Sequence, residues 1–208
     1  GGDVAAERSG AMLSSRGCAN ACYFCLSPLM SGFRSYKRRS NENIVKEVRH
    51  LVDNFRFGEI NFFDDNFFTN RKQVKELLRM LAKEFPSVLF NAVGGIEANL
   101  IDEEMIDLLA AANFYKALLS VESGNPELQE TLIDKHVNLS RLPALIDYFK
   151  KKGIETRGLF MIGFPGETRE QIMRTVELAK SLNLDDINFS LVTPMPGTPL
   201  YDQCIREN

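Results

Sequence analysis

The stretch Ser14-Ser15-Arg16-Gly17-Cys18-Ala19-Asn20-Ala21-Cys22-Tyr23-Phe24-Cys25 puts three cysteines on one short loop, with an aromatic residue just before the last. Thiolates at Cys18, Cys22 and Cys25 can hold three corners of a 4Fe–4S cube, because such clusters are built on cysteine sulfur at short, irregular spacings. The fourth iron then lacks a protein ligand. An open metal position marks catalysis rather than structural support, since a substrate or cofactor must be able to bind there. A structural zinc site would need a fourth ligand, and His50 and His136 lie in patterns that read as helix or the start of one. A redox dithiol at Cys22 and Cys25 would leave Cys18 unexplained. Cys204, alone in an apolar pattern near the end of the chain, reads as a small buried hydrophobe.

Outward from this loop the chain alternates short apolar runs with helical periodicity. Ile44, Val45, Val48, Leu51, Val52 and Phe55 share one helical face, capped by Ser40 or Asn41. A second helix follows from Val74, Leu77, Leu78, Leu81, Ala82 and Phe85, with Asn70 as N-cap and Gln73 three residues on. A third follows Asp102. A fourth is opened by Asn125-Pro126, breaks near His136-Val137-Asn138, and resumes through Leu142, Leu145, Ile146 and Phe149 to stop at Gly153. Thr168 with Gln171 starts a fifth. Strands are expected at 11–16, 59–63, 88–93, 116–121, 156–162 and 186–192, each short, apolar and ended by Gly, Asp, Asn or Pro. Strand–helix units in a row imply a parallel sheet, either curled toward a barrel or doubly wound, and periodicity alone does not choose between them.

In parallel α/β architectures the chemistry gathers at the carboxyl ends of the strands, and the cysteine loop directly follows the first strand. The other strand ends carry Asp64-Asp65-Asn66, Gly94-Gly95-Ile96-Glu97, Glu122-Ser123-Gly124, Gly163 to Glu167 and Thr193 to Gly197, all rich in polar residues and glycine.

The 208 residues are 44% hydrophobic and 25% charged, with a formal charge of −3, which suits one compact domain spanning 1–208. No run of eighteen apolar residues and no secretory signal occurs, so the expected setting is cytoplasmic, where thiols stay reduced. The acidic balance gives no general nucleic-acid footprint. Arg34, Lys37, Arg38 and Arg39 form one local basic cluster, read here as solvated surface. The chain opens on Gly1-Gly2 without an initiator Met, and Thr198-Pro199 starts a helix just before it stops, so it is expected to be a core excised from a longer protein.

The Cys18-x3-Cys22-x2-Cys25 loop resembles the signature of radical S-adenosylmethionine enzymes, and later segments resemble the branch that carries an upstream cobalamin-binding domain. Those segments are Phe62 to Phe67, Val121 to Pro126, Gly163 to Thr168 and Pro194 to Tyr201. The resemblance implies a partial (β/α)6 barrel with outer helices. It implies three thiolates on a 4Fe–4S cluster, whose open iron is chelated by the methionine amine and carboxylate of S-adenosylmethionine. One electron from a reductase such as flavodoxin or ferredoxin then cleaves the sulfonium. The resulting 5'-deoxyadenosyl radical abstracts hydrogen, or the cofactor donates a methyl group by way of cobalamin. The cofactor carries the hard chemistry, and the protein binds, orients and excludes solvent.

By the same resemblance Phe24 lies near the adenine, where the alternative is a loop aromatic packed on the core. Glu122 suits ribose hydroxyls or the methionine ammonium; the alternative is a charge favoured at a helix N-terminus. Ser123 and Gly124 share its segment. Asp64 and Asp65 do not form an acid–base pair, since neighbours on an extended segment point to opposite faces. One of Asp64, Asp65 and Asn66 is expected to contact the methionine amine, against an Asx-turn alternative. Gly163 opens a turn that lets backbone approach the cofactor or simply precedes a helix. Thr193 and Pro194 border the adenine or terminate the last strand. Relatives in this branch often carry Arg where this chain has Glu97, which reverses a charge in the site.

The leading expectation is a radical enzyme acting on a small molecule by methyl transfer or oxidative rearrangement. The rivals are a methylthiotransferase modifying tRNA or protein, and a zinc-stapled α/β binding module without turnover.

Overall fold

The structure, a computed structural model, describes residues 6–32, 35–133 and 137–207. Among the described residues there are eight strands: β1 (Ser9–Met12), β2 (Ser15–Gly17), β3 (Tyr36–Arg38), β4 (Glu59–Phe62), β5 (Leu89–Ala92), β6 (Lys116–Glu122), β7 (Glu155–Ile162) and β8 (Asp186–Leu191). Strands β1, β4 and β5 form one parallel sheet and β6, β7 and β8 another. Parallel bridges from Phe90 to Phe114 and from Ile96 to Leu119 join the two into one wall in chain order. No pairing among the described residues links β1 to β8, so the wall is a partial barrel with two free edges.

The helices are α1 (Ser27–Ser31), α2 (Asn41–Phe55), α3 (Arg71–Glu84), α4 (Glu103–Ala111), α5 (Pro126–Leu128), α6 (Leu142–Lys151), α7 (Arg169–Ser181) and α8 (Pro199–Glu207). Their starts follow local chemistry. The Ser40 side chain accepts from the Asn43 N–H, Asn70 from Gln73 and Asp102 from Met105, and Thr168 with Gln171 makes a complete capping box. The apolar stripes face the wall: Ile44, Val45 and Val48 from α2, Val74, Leu77, Leu78 and Leu81 from α3, and Leu142, Leu145, Ile146 and Phe149 from α6 are buried. Between α3, α4 and the sheet the rings of Phe62, Phe67, Phe90 and Phe114 pack at centroid distances of 4.8–6.4 Å. Such a block fixes the strand ends above it, since close-packed aromatics tolerate little displacement.

Three expectations need correction. The first strand, expected over 11–16, splits at Leu13 and Ser14. The Phe63 N–H closes the ladder on the Met12 carbonyl at 2.9 Å, and the Ser14 N–H turns instead to the Asp64 carboxylate at 3.1 Å. The chain then runs into β2, which pairs antiparallel with β3 in a hairpin flanking the cysteine loop. The fourth helix opens at Asn125-Pro126 as expected, but as a single turn, α5, followed by a π-type turn at Gln129–Ile133 in place of regular α-helix; a 3-10 turn at Leu139–Arg141 then leads into α6, where the expected stripe resumes. His136 lies outside the described residues, as does Arg34. Cys204 is half-buried rather than buried. No helix among the described residues is long and apolar enough to cross a membrane.

Candidate active site

The cysteine loop leaves β2 and ends at α1, over the carboxyl ends of the parallel strands. Its root is fixed from below. Asp64, 1% exposed, accepts from the Ser14 N–H at 3.1 Å, from the Ser14 hydroxyl at 2.7 Å and from the Ser15 hydroxyl in a short bond. Arg38 Nη1 donates to the same Ser14 hydroxyl at 2.9 Å, while its guanidinium carbon sits 5.5 Å over the Phe67 ring. Asp65 accepts from the Gly17 N–H at 2.8 Å, one residue before Cys18. The two aspartates therefore divide: Asp64 turns inward to brace, and Asp65 turns toward the cysteines.

Within the loop, the Asn20 N–H donates to Cys18 Sγ and the Ser27 N–H to Cys25 Sγ, both at 3.4 Å. The Asn66 side-chain amide reaches Cys18 Sγ at 3.8 Å. Donors aimed at sulfur stabilise thiolate and tune cluster potential, so the donor set fits a cluster held by three cysteines. No disulfide links the four cysteines. Among the described residues no three of His, Cys, Asp and Glu converge as ligands for a single metal ion. From above, α8 closes on the loop: the Leu200 N–H donates to the Tyr23 carbonyl at 3.3 Å, and the Tyr23 hydroxyl bonds to Gln203.

Beneath the cysteines lies a cavity of about 360 Å³, lined by Cys18, Cys22, Phe24, Cys25, Asp65, Asn66, Glu97 and Glu122 among others. Glu97 is held by the amides of Asn20 at 2.8 Å and Asn66 at 3.4 Å, which tie the cysteine loop to the segment after β5. That segment runs close to its neighbour. A Cβ on Gly94 would stand 2.0 Å from the Asp64 carbonyl oxygen, so only glycine fits. Glu122 reaches the cavity through a break in register between β6 and β7 and adopts φ 64, the left-handed region that a non-glycine residue enters at a cost. Strain of this kind, paired with 7% exposure, marks a carboxylate whose direction is imposed by the fold.

Phe24, Asp65, Asn66, Glu122 and the three cysteines are thus brought together on one cavity. Phe24 also packs edge-on against Phe164 at 5.9 Å. The other residues expected at the site do not line it. Asp64 is spent on Ser14 and Ser15. Ser123 and Gly124 tie the strand end to α7: Thr175 Oγ1 accepts from the Gly124 N–H at 3.0 Å and lies 3.3 Å from the Ser123 hydroxyl. Gly163 belongs to a turn closed by Glu167, which accepts from the Gly163 and Phe164 N–H groups at 2.6 and 3.2 Å. Thr193 and Pro194 are exposed.

Sequence reasoning passed over Asn20, Ser120, Asn188 and Ser190, which also line the cavity. Ser120 precedes the slip in register that brings Glu122 to the cavity, and Asn188 and Ser190 share one face of β8, a strand without a buried face to mark them.

A parallel half-barrel that presents three cysteines and a polar cavity at its strand ends defines an iron–sulfur α/β class. Residues 12–179 match the Radical SAM superfamily, and the chain belongs to it. It is 31% identical over 199 residues to an uncharacterized methyltransferase, PH0819, of Pyrococcus horikoshii, covering 96% of this chain and 42% of that protein. It is equally 31% identical over 207 residues to the cytidylyl-2-hydroxyethylphosphonate methyltransferase of Streptomyces wedmorensis, covering 97% and 38%. Among solved structures, the radical S-adenosylmethionine methyltransferase TsrM of Kitasatospora setae, with cobalamin and a 4Fe–4S cluster bound, superposes with a TM-score of 0.82 at 23% identity, covering 95% of this chain and 39% of that one. The chain therefore spans about two fifths of the length of these relatives.

Proposed function

We propose that the protein is a cytoplasmic radical S-adenosylmethionine enzyme that transfers a methyl group to a small molecule, with its described residues forming one core domain. The observation that carries this reading is the single cavity shared by Cys18, Cys22, Cys25 and the carboxylates Asp65, Glu97 and Glu122. S-adenosylmethionine is cationic at its sulfonium and its ammonium, and a half-enclosed wall of carboxylates beside a metal loop favours such a ligand. The methyltransferase relatives from Pyrococcus and Streptomyces support methyl transfer over the methylthiotransferase and zinc-module alternatives.

Cys18, Cys22 and Cys25 would hold the cluster, which when bound supplies the electron that cleaves the sulfonium. Asn20, Ser27 and Asn66 donate to the sulfurs and set their basicity. Glu97, fixed by two amides, and Glu122, fixed by the strand-end bulge, orient the cationic cofactor. Phe24 supplies an apolar face for adenine. Cobalamin, present in the Kitasatospora structure, is assigned here to a partner domain, and the electron to a flavodoxin- or ferredoxin-type reductase.

The test uses S-adenosylmethionine with a deuterated methyl group, a low-potential reductant and cobalamin. Reductant-dependent release of 5'-deoxyadenosine or S-adenosylhomocysteine is expected, with deuterium in the product when a substrate is supplied. Intact S-adenosylmethionine after prolonged incubation of cluster-loaded protein would overturn the reading.

A further inference from the structure

On the outer side of the β2–β3 hairpin, Arg16 and Lys37 stand directly opposite each other in register. Both are exposed, and the side chain of neither makes a hydrogen bond or ion pair with another described residue. Like charges at directly opposed positions, with Cβ atoms about 5 Å apart, weaken a sheet pair. The hairpin strands are only three residues long each, so folding gains nothing from this arrangement.

The pair does not stand alone. It borders an open cleft of about 590 Å³, also lined by Arg38 and Arg39. Arg39 is committed to the fold: it donates to the Leu13 carbonyl and Asn43, and pairs with Glu47, the one carboxylate among the lining residues. Arg38 is partly buried behind the hairpin, with Nε and Nη2 lacking a partner among the described residues, and adds positive charge to the same cleft. The basic cluster is therefore not uniformly solvated surface. In a protein of net charge −3 it is a local patch with two cations left over for a partner.

Its place gives it a use. Arg16 is two residues before Cys18, so a partner resting on it comes within about 7 Å of that residue's Cα along the chain. We propose that the Arg16–Lys37 face is the docking surface for an acidic one-electron donor protein that reduces the cluster. This rests on the cluster reading above. In the step, one electron leaves the reduced donor and enters the oxidised cluster, and no proton or covalent bond is exchanged. Opposite charge steers such an encounter and raises its rate by tenfold to a thousandfold at low salt, with the gain lost as salt screens it.

The test compares wild type with the double variant Arg16→Glu and Lys37→Glu, both loaded with cluster. Reduction is followed by loss of visible absorbance, with reduced flavodoxin as the acidic donor and photoreduced deazaflavin as a small donor that needs no docking surface. Flavodoxin should reduce the variant at least tenfold more slowly at low salt, the wild-type rate should fall toward it as salt rises, and deazaflavin should reduce both equally. Equal flavodoxin rates with normal deazaflavin reduction would overturn the docking surface alone. Equal flavodoxin rates together with salt-sensitive tRNA retention lost in the variant would overturn it in favour of an RNA-binding face. A cluster that deazaflavin cannot reduce in either protein would overturn the underlying reading and the docking surface with it.

Discussion

A Cys22→Ala protein should emerge from anaerobic reconstitution with its iron and sulfide content collapsed and its turnover at background. Cys22 is the most buried of the three loop cysteines, at 7% exposure, and its carbonyl accepts the Cys25 N–H at 3.0 Å, so it stands at the turn between the other two sulfurs. Alanine keeps the backbone bond and removes only the thiolate. Two thiolates leave half of the cluster's irons without protein ligands, and the fold contributes no substitute: no three of His, Cys, Asp and Glu among the described residues converge on a single metal ion. The same substitution should shift the melting temperature of the cluster-free protein little, which separates loss of a ligand from loss of the fold. Full iron content in Cys22→Ala would show that the loop does not hold the cluster.

The second large effect is expected from Asp64→Ala, and it is structural in origin. The carboxylate is the shared acceptor for the Ser14 N–H and the hydroxyls of Ser14 and Ser15, with all three residues below 5% exposure. Alanine would orphan these buried donors and leave the Arg38 guanidinium with a weakened partner in Ser14. Each buried donor left without an acceptor costs about 1–3 kcal/mol, so a total of roughly 3–5 kcal/mol is expected after relaxation. At about 2–4 °C per kcal/mol for a chain of this size, thermal melting should fall by roughly 6–20 °C. Cluster content should fall with it, because the same bonds root the cysteine loop. Asp64→Asn, which keeps one acceptor oxygen, should lie between. A melting temperature within a few degrees of wild type for Asp64→Ala would contradict the bracing role.

The contrast between Asp64 and its neighbour shows what the sequence could and could not disclose. That Asp64 and Asp65 face opposite ways follows from strand geometry. Which of them faces the cysteines depends on where β4 ends, and that is set by the Phe63 N–H closing on Met12 across the sheet. Helix starts were legible because each is a local bargain: Asn70 with Gln73, Asp102 with Met105 and Thr168 with Gln171 satisfy backbone donors within three residues. The β2–β3 hairpin was not. Its strands, Ser-Arg-Gly and Tyr-Lys-Arg, carry no apolar alternation, and they pair across a separation that local pattern cannot see.

Glu122 was found at a strand end, but its direction was not legible. A left-handed φ at a glutamate and a slip in register are products of the β6–β7 pairing, invisible to periodicity. Asn188 and Ser190 were hidden for a different reason. They lie on a free-edge strand whose outward residues Ile187, Phe189 and Leu191 are themselves 38–74% exposed, so neither face of β8 reads as core. Ser123 and Gly124 sit in a segment that resembles a site motif, yet they serve to dock α7, where a Cβ on Gly124 would meet the Arg174 carbonyl oxygen and the Thr175 Cα at 2.9 Å.

The central claim is that the three cysteines hold a cluster with an open iron that takes S-adenosylmethionine. The most direct test is the EPR spectrum of the anaerobically reconstituted, reduced protein before and after adding that cofactor. The account predicts a 4Fe–4S signal whose shape changes on addition. Protein that takes up zinc and no cluster, or a cluster signal that S-adenosylmethionine leaves unmoved, would contradict it.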